Sequence, residues 1–267
     1  MTGVLRVIRP GIATTFQDRG RSGLAQVGVG TAGSVDPGLS ALVNRLVANG
    51  PGAVVIETCG DLELRASAPA TVASSAHLAP VHLDAGERFV VRPGARGRLW
   101  HYVAVRGGFA VEPVLGSASR DTLAGIGPAP LIEGQSLDAR PAPSEFAVVD
   151  HAPLPELASV VRVLPGPRRH WFSDASWHAL AATAWTVTTT SRIGIRLAGG
   201  TFDRVVDGEL PSEGLVRGAI QVPPGGEPVV MLADHPTTGG YPVIGVVHPD
   251  DVATLAQHSA GNRVRFR

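Results

Sequence analysis

Eleven short apolar or alternating runs follow one another along the chain: VLRVI (4–8), AVVIE (53–57), RFVVR (88–92), LWHYVAV (99–105), FAVVD (146–150), VVRVL (160–164), WTVTTT (185–190), AIQV (219–222), PVVMLA (228–233), YPVIGVV (241–247) and RVRFR (263–267). Gly, Pro, Asp or Ser bounds nearly all of them, and runs of this length and punctuation are strands of an antiparallel sandwich or barrel. The 33 glycines and 22 prolines are spread without a period, so they read as turns and not as collagen or a disordered tract. Three turns look alike, LDAGERFVV (83–91), LIEGQSLDA (131–139) and SAGNRVRFR (259–267), which hints at related β units in both halves. The fold expected is mainly β, with a few short helices.

Helix signals are sparse. The strongest begins at Asp36-Pro37, an N-cap followed by proline at the first helical position, with Leu39, Leu42, Val43, Leu46 and Val47 on one stripe. Others begin near Ser173-Asp174 and at Pro249-Asp250-Asp251. The proline-rich, aperiodic segments DARPAPSEF (138–146) and HAPLPELAS (151–159) mark a boundary, giving an N-terminal β domain over 1–145 and a C-terminal β domain over 155–267.

Charge and composition remove whole classes of function. Lys+Arg and Asp+Glu both number 23, so no net field gathers nucleic acid or a membrane surface, and neither is expected as a partner. The opening MTGVLRVIRPG lacks the form of a signal peptide and no run reaches membrane-spanning length, so a cytoplasmic protein is expected. Cys59 is the single cysteine, which excludes an internal disulfide and a thiolate cage. The sequence has no lysine: all 23 basic side chains are arginine. That excludes a lysine-bearing phosphate loop, a Schiff base and an attached biotin on this chain. The nine histidines fall into no HExxH-like spacing, so no metal site is expected, and no GxSxG elbow is present.

Polar residues concentrate at strand ends in ELPSEGLVRGAIQVPPGGEPVVMLADHPTTGGYP (209–242). Glu213 precedes Gly214, Gln221 falls within AIQV, and Asp234, His235, Thr237 and Thr238 follow PVVMLA ahead of Gly239 and Gly240. A carboxylate, an imidazole, two hydroxyls and two unobstructed amides suit acid–base chemistry beside a ligand. The same residues suit a hairpin whose Asp and Thr side chains satisfy the turn backbone. Ser34 and Asp36 in GSVDP (33–37) carry a similar ambiguity between a helix cap and an anion site. Gln17, Asp18, Arg19 and Arg21 in TTFQDRGRSG (14–23) fit carboxylate or phosphate binding, or simply an exposed charged loop.

TTFQDRGRSG, GSVDP, YVAVRGGF (102–109), PVLGSASRD (113–121), VRVLPGP (161–167), SEGLVRGAIQVPP (212–224) and DHPTTGGYP (234–242) together resemble the biotin-dependent carboxyltransferase family, in the same order and over almost the whole chain. That family includes components of 5-oxoprolinase and allophanate hydrolase, part of urea carboxylase, and the Kip inhibition antagonist. The resemblance implies a cyclophilin-like β-barrel architecture. It also implies a heteromeric ATP-dependent amidohydrolase that converts 5-oxoproline to L-glutamate. The partners would be a protein like the B-type subunit of 5-oxoprolinase or allophanate hydrolase subunit 1, a protein like the A-type subunit of 5-oxoprolinase, and a small amide substrate. ATP would be bound with the partner proteins, and any biotin would sit on another chain. The alternatives are an allophanate hydrolase subunit 2 or urea carboxylase-type carboxyltransferase role, and a non-catalytic binding protein like the Kip antagonist. Carried over by motif, Asp234, Glu213 and His235 would be catalytic. Arg192, Ser212, Gln221, Thr237, Thr238, Gly239, Gly240, Tyr241, Gln17 and Asp18 would bind substrate. The chain departs from the family at TSRIGIRL (190–197), where members often read SNRMGYRL, and at Pro236, where many have glutamine.

Overall fold

The computed structural model describes residues 3–144, 151–154 and 156–267, and the run FAVVD (146–150) lies outside them. The chain divides into two compact units, one of residues 1–21, 32–121 and 125–156, the other of residues 22–31, 122–124 and 157–267. Two short stretches well before the proline-rich segments, 22–31 and 122–124, therefore cluster with the second unit.

The first unit contains β1 (Leu5–Arg9), β2 (Thr15–Gln17), α1 (Pro37–Leu46), β3 (Val55–Thr58), β4 (Leu62–Ala66), β5 (Ala70–Ser74), β6 (Pro80–Leu83), β7 (Arg88–Val91), β8 (His101–Val105) and β9 (Ser136–Leu137). One sheet runs β7-β4-β1-β9 and the other β2-β3-β8-β5-β6, with antiparallel neighbours. Leu5, Val7, Leu64 and Phe89 from the first sheet share a core with Ile56, Val72 and Val103 from the second. Removing these side chains from water supplies the driving force for stacking, about 25 cal/mol per Å² of apolar surface. Asp36 caps α1 by accepting from the Leu39 N–H at 3.0 Å, with Pro37 at the first helical position.

The second unit contains β10 (Val160–Val161), β11 (Val163–Pro165), α2 (Asp174–Ala182), β12 (Trp185–Thr190), β13 (Gly194–Ala198), β14 (Glu213–Gly214), β15 (Ala219–Gln221), β16 (Val229–Met231), β17 (Thr238–Gly239), β18 (Val243–Val247), α3 (Pro249–Ala256) and β19 (Arg263–Phe266). Its main sheet has eight strands in the order β10-β19-β12-β13-β16-β15-β18-β11. The two end strands, β10 and β11, are separated only by Arg162, so one stretch of chain lies along both edges and nearly closes the sheet into a barrel. The Val163 N–H donates to the Arg267 carbonyl at 2.9 Å and the Arg267 N–H to the Val161 carbonyl at 3.0 Å, which seals the join. Inside, Trp185, Val187, Ile195, Leu197, Ile220, Val230 and Ile244 are buried. β12 and β13 reach this by alternation, every second side chain pointing inward. The protein is thus mainly β, with a barrel in its second unit. Among the described residues no helix is long and apolar enough to cross a membrane.

Candidate functional site

The structure joins the two glycine-containing motifs of the second unit. β14 and β17 form a two-stranded ribbon in which Glu213 faces Gly239 and Gly214 faces Thr238, and the Leu215 N–H donates to the Thr237 carbonyl at 2.9 Å. Leu215 roots this ribbon in a small cluster with Ala219, Met231 and Val243. Gly239 is closely packed: a Cβ there would lie 2.6 Å from Gln221 Nε2 and 2.8 Å from Leu215 Cδ1, so a larger residue would have to displace those side chains. Gln221 is itself buried, and its Nε2 donates to the Tyr241 carbonyl at 3.0 Å, fixing the exit of the turn. A Cβ on Gly240 would stand 4.0 Å from Ser212 Oγ, so Ser212 flanks the second glycine. Ser212, Thr238, Gly240 and Tyr241 are exposed, while Thr237 and Glu213 are half-buried. Ser212, Glu213 and residues 237–241 therefore share one surface of the second unit, with Gln221 buried beneath it.

Two arginine–carboxylate forks border this sequence region. Asp234 is fully buried. Its Oδ2 accepts from Arg192 Nε at 2.8 Å and from the Thr122 N–H and Oγ1 at 2.8 and 2.7 Å, while Oδ1 accepts from Arg192 Nη2 at 2.8 Å. The Asp234 N–H also donates to the Arg192 carbonyl at 2.9 Å. Both oxygens are enclosed and engaged, so the arrangement gives Asp234 and Arg192 the geometry of a buried clamp and not of a free base and an open ligand arm. The clamp holds the strand end from which the turn 235–241 departs. His235 is half-buried, and its Nδ1 lies 2.8 Å from the Pro236 carbonyl, the contact of a protonated Nδ1 donating within its own turn.

The second fork is half-exposed. Arg168 donates from Nε to Glu213 Oε2 at 3.0 Å and from Nη2 to Oε1. Hydrogen bonding from Arg168, with its positive charge adding to the effect, holds the Glu213 carboxyl below its ordinary range. Arg168 itself is set by a tight turn packed on β18. The Gly166 N–H donates to the Ile244 carbonyl at 3.0 Å and the Arg168 N–H to the Val243 carbonyl at 3.1 Å. A Cβ on Gly166 would lie 2.4 Å from the Val243 oxygen, so only glycine allows this approach. The motif VRVLPGP stops one residue short of Arg168; a cation placed after a proline–glycine turn at a strand end is the signal that could have found it.

Gln17 and Asp18 belong to the first unit, where the Asp18 carboxylate and Gln17 Nε2 are spent on internal bonds, while Gln17 Oε1 is buried with no hydrogen-bond partner among the described residues. Asp18 accepts from Ser119 Oγ at 2.6 Å, from the Ala118 N–H at 2.8 Å, from the Gly20 N–H at 2.8 Å and from Ser117 Oγ. Gln17 is fully buried, its Nε2 donating to Thr15 Oγ1 at 2.9 Å and to the Arg120 carbonyl at 3.0 Å. GSVDP is likewise embedded. The Val35 N–H donates to Glu57 Oε2 at 2.8 Å, the Tyr102 hydroxyl donates to the same oxygen at 2.7 Å, and the Asp36 N–H donates to that hydroxyl at 2.7 Å. Burial first, and the Glu57 charge next, push the Tyr102 phenol well above its ordinary value. Glu57 has no counterpart among the residues expected from sequence, because a single carboxylate inside AVVIE reads as a strand end. A cavity of about 460 Å³ in the first unit is lined by Thr71, His82, Arg106 and Arg140 among others, and none of the candidate residues lines it. Among the described residues no group of three or more His, Cys, Asp or Glu side chains is arranged to hold a metal ion.

The family model for the carboxyltransferase domain, subdomain A and B, matches residues 27–267, and the chain belongs to this family. It is 34% identical over 284 residues to the C-type subunit of 5-oxoprolinase from Escherichia coli (strain K12), the match covering 98% of this chain and 90% of that protein. It is 27% identical to a urea amidolyase of Lachancea kluyveri over 97% of this chain but 16% of that protein. Among solved structures, TTHA0988 superposes with a TM-score of 0.89 at 31% identity, covering all of this chain and 56% of the other, so this chain spans about half of that longer one. The urea amidolyase of K. lactis has the same fold, with a TM-score of 0.85 at 24% identity over 99% of this chain and 18% of that one.

Proposed function

We propose that the chain is one component of a heteromeric, ATP-dependent 5-oxoprolinase, which opens the cyclic amide 5-oxoproline to L-glutamate. The observation that carries this reading is the strand-end ribbon, which gathers Arg168, Ser212, Glu213, Gly239 and Gly240 on one surface over the buried Gln221. The near full-length likeness to the C-type subunit of 5-oxoprolinase supports it. Opening the lactam breaks its C–N bond, with a water oxygen going to the carbonyl carbon and a proton to the nitrogen. A lactam carbonyl is a poor electrophile, and transfer of the γ-phosphoryl of ATP to its oxygen, releasing ADP, activates it: water then adds to the carbon, the C–N bond breaks to leave an acyl phosphate, and a second water releases inorganic phosphate. In this scheme the Gly240 N–H faces charge developing on the oxygen, while Ser212 and Thr238 hold the amide and Gln221 supports the turn from beneath. With no lysine to serve a phosphate loop, the ATP site belongs with a partner like the B-type or A-type subunit of 5-oxoprolinase, in the cytoplasm.

One observation favours a second reading. The relation to a urea amidolyase supports an allophanate hydrolase subunit 2 or urea carboxylase-type role, in which a urea derivative occupies the same ribbon and biotin sits on another chain. Co-purification with proteins like the B-type and A-type subunits, followed by an ATPase assay with 5-oxoproline, allophanate or urea, separates the two. ATP hydrolysis stimulated only by 5-oxoproline is expected. Stimulation by a urea derivative alone would transfer the assignment, and stimulation by none would leave a Kip antagonist-like binding role.

A further inference from the structure

We propose that Arg168 recognises the carboxylate of the substrate and that Glu213 is the positioning residue that aims it, not the base of the reaction. This rests on the 5-oxoprolinase reading and deepens it. The guanidinium carries five N–H donors in a planar fork. Glu213 takes one edge, through Nε and Nη2, and Nη1 has no partner among the described residues. The side chain is 31% exposed, so its outer edge is open to solvent while its inner edge is fixed. Its backbone is fixed as well, by the Gly166 turn on β18. A rigid fork with one edge satisfied and one edge open is the arrangement that binds a second carboxylate bidentately, and a lysine at the same place would supply charge without that geometry.

The surroundings fit the rest of such a ligand. Glu213 faces Gly239 across the ribbon, the buried Gln221 amide lies directly beneath that glycine, and Ser212 flanks Gly240. A ligand bearing a carboxylate beside an amide would place the first on Arg168 and the second over the glycines. Glu213 already accepts two hydrogen bonds from a cation, which makes it a weak proton acceptor and a good clamp.

The test compares 5-oxoproline with 2-pyrrolidinone, the same lactam without the carboxylate, in the assembled complex. Arg168→Gln is expected to raise KM for 5-oxoproline by about 10- to 100-fold, the loss of a charge-assisted pair, and to leave KM for 2-pyrrolidinone unmoved. Arg168→Lys, which keeps the charge, is expected to recover only part of the loss. Glu213→Gln is expected to raise KM several-fold and to hold kcat within about twofold. An unchanged KM in Arg168→Gln, with wild-type turnover present, overturns the carboxylate assignment alone. A collapse of kcat in Glu213→Gln at constant KM overturns its positioning role. Absence of any 5-oxoproline-dependent ATP hydrolysis by the wild-type complex overturns the functional reading and this inference with it.

Discussion

Arg192–Asp234 and Arg168–Glu213 are the same chemical object in opposite surroundings. Each is an arginine holding a carboxylate through Nε and Nη2, from residues 42 and 45 positions apart. The side chains of the first pair are 2% and 0% exposed, those of the second 31% and 32%. Burial turns the first into scaffold, because a charge withdrawn from water and then deprived of its partner is costly. Exposure leaves the second nearly neutral for stability and free to meet a ligand. A conspicuous charged motif near a glycine turn is therefore not automatically the reacting group. In DHPTTGGYP the aspartate is buried and held by Arg192 and Thr122, while the half-exposed fork belongs to Arg168, outside the motif.

Three substitutions put this contrast at risk, and the largest effect belongs to the buried pair. Asp234→Ala removes the buried carboxylate that Arg192 and Thr122 share, and should destabilise the protein by about 3–5 kcal/mol in urea unfolding, with loss of activity following from loss of fold. A cost below about 1 kcal/mol, the range of surface ion pairs, would remove the distinction between the two forks.

A third pair joins a more exposed arginine, Arg162 at 42%, to a less exposed carboxylate, Asp251 at 19%. Asp251 accepts from the Arg162 N–H at 2.7 Å, from Nε at 2.9 Å and from Nη2 at 2.7 Å, and these hydrogen bonds are the main reason its carboxyl is lowered to about 2. Because the folded value lies below the ordinary 3.8, the stabilisation is complete above pH 3.8 and disappears as pH falls towards about 2. Asp251→Asn should therefore flatten the acid limb of the stability–pH curve in that interval, measured by thermal melting. An unchanged limb would show that hydrogen-bond number does not compensate for exposure.

The smallest effect belongs to Glu213→Gln, whose melting temperature should stay within about 2 °C of wild type. A larger fall would mean the pair is structural after all and would weaken the case for its role at the ribbon. The variant is thus the mirror of Asp234→Ala: little lost in stability, with the loss read in KM.

The strands most legible in sequence are those with clear alternation or an unbroken β-branched or aromatic run. RFVVR contains β7, LWHYVAV β8, WTVTTT β12 and YPVIGVV β18. LELRA (62–66) escapes the pattern because its burial does not alternate: Glu63 is buried among apolar neighbours, paired with Arg88 at 2.6 Å. ATVAS (70–74) hides behind small residues that carry little hydrophobic signal. The glycine motifs stand out by residue type, and the structure explains their adjacency by the Glu213–Gly239 pairing. What no pattern discloses is who binds whom. Asp18 and Asp234 each look like a reactive carboxylate in one dimension and Glu57 like a strand end, yet each is engaged by at least one partner 22 or more residues away, beyond the reach of periodicity or turn chemistry.

The single residue between β10 and β11 bears on how a partner could approach. Arg162 has both backbone groups occupied, its N–H by Asp251 and its carbonyl by the His248 N–H at 2.8 Å, and the strands on either side bond to opposite edges of one sheet. A neighbouring protein therefore finds no long open ladder there to extend with a strand of its own. At this join a partner would therefore engage side chains and loops and not a strand edge, which makes contact there sensitive to single substitutions on the surface it touches.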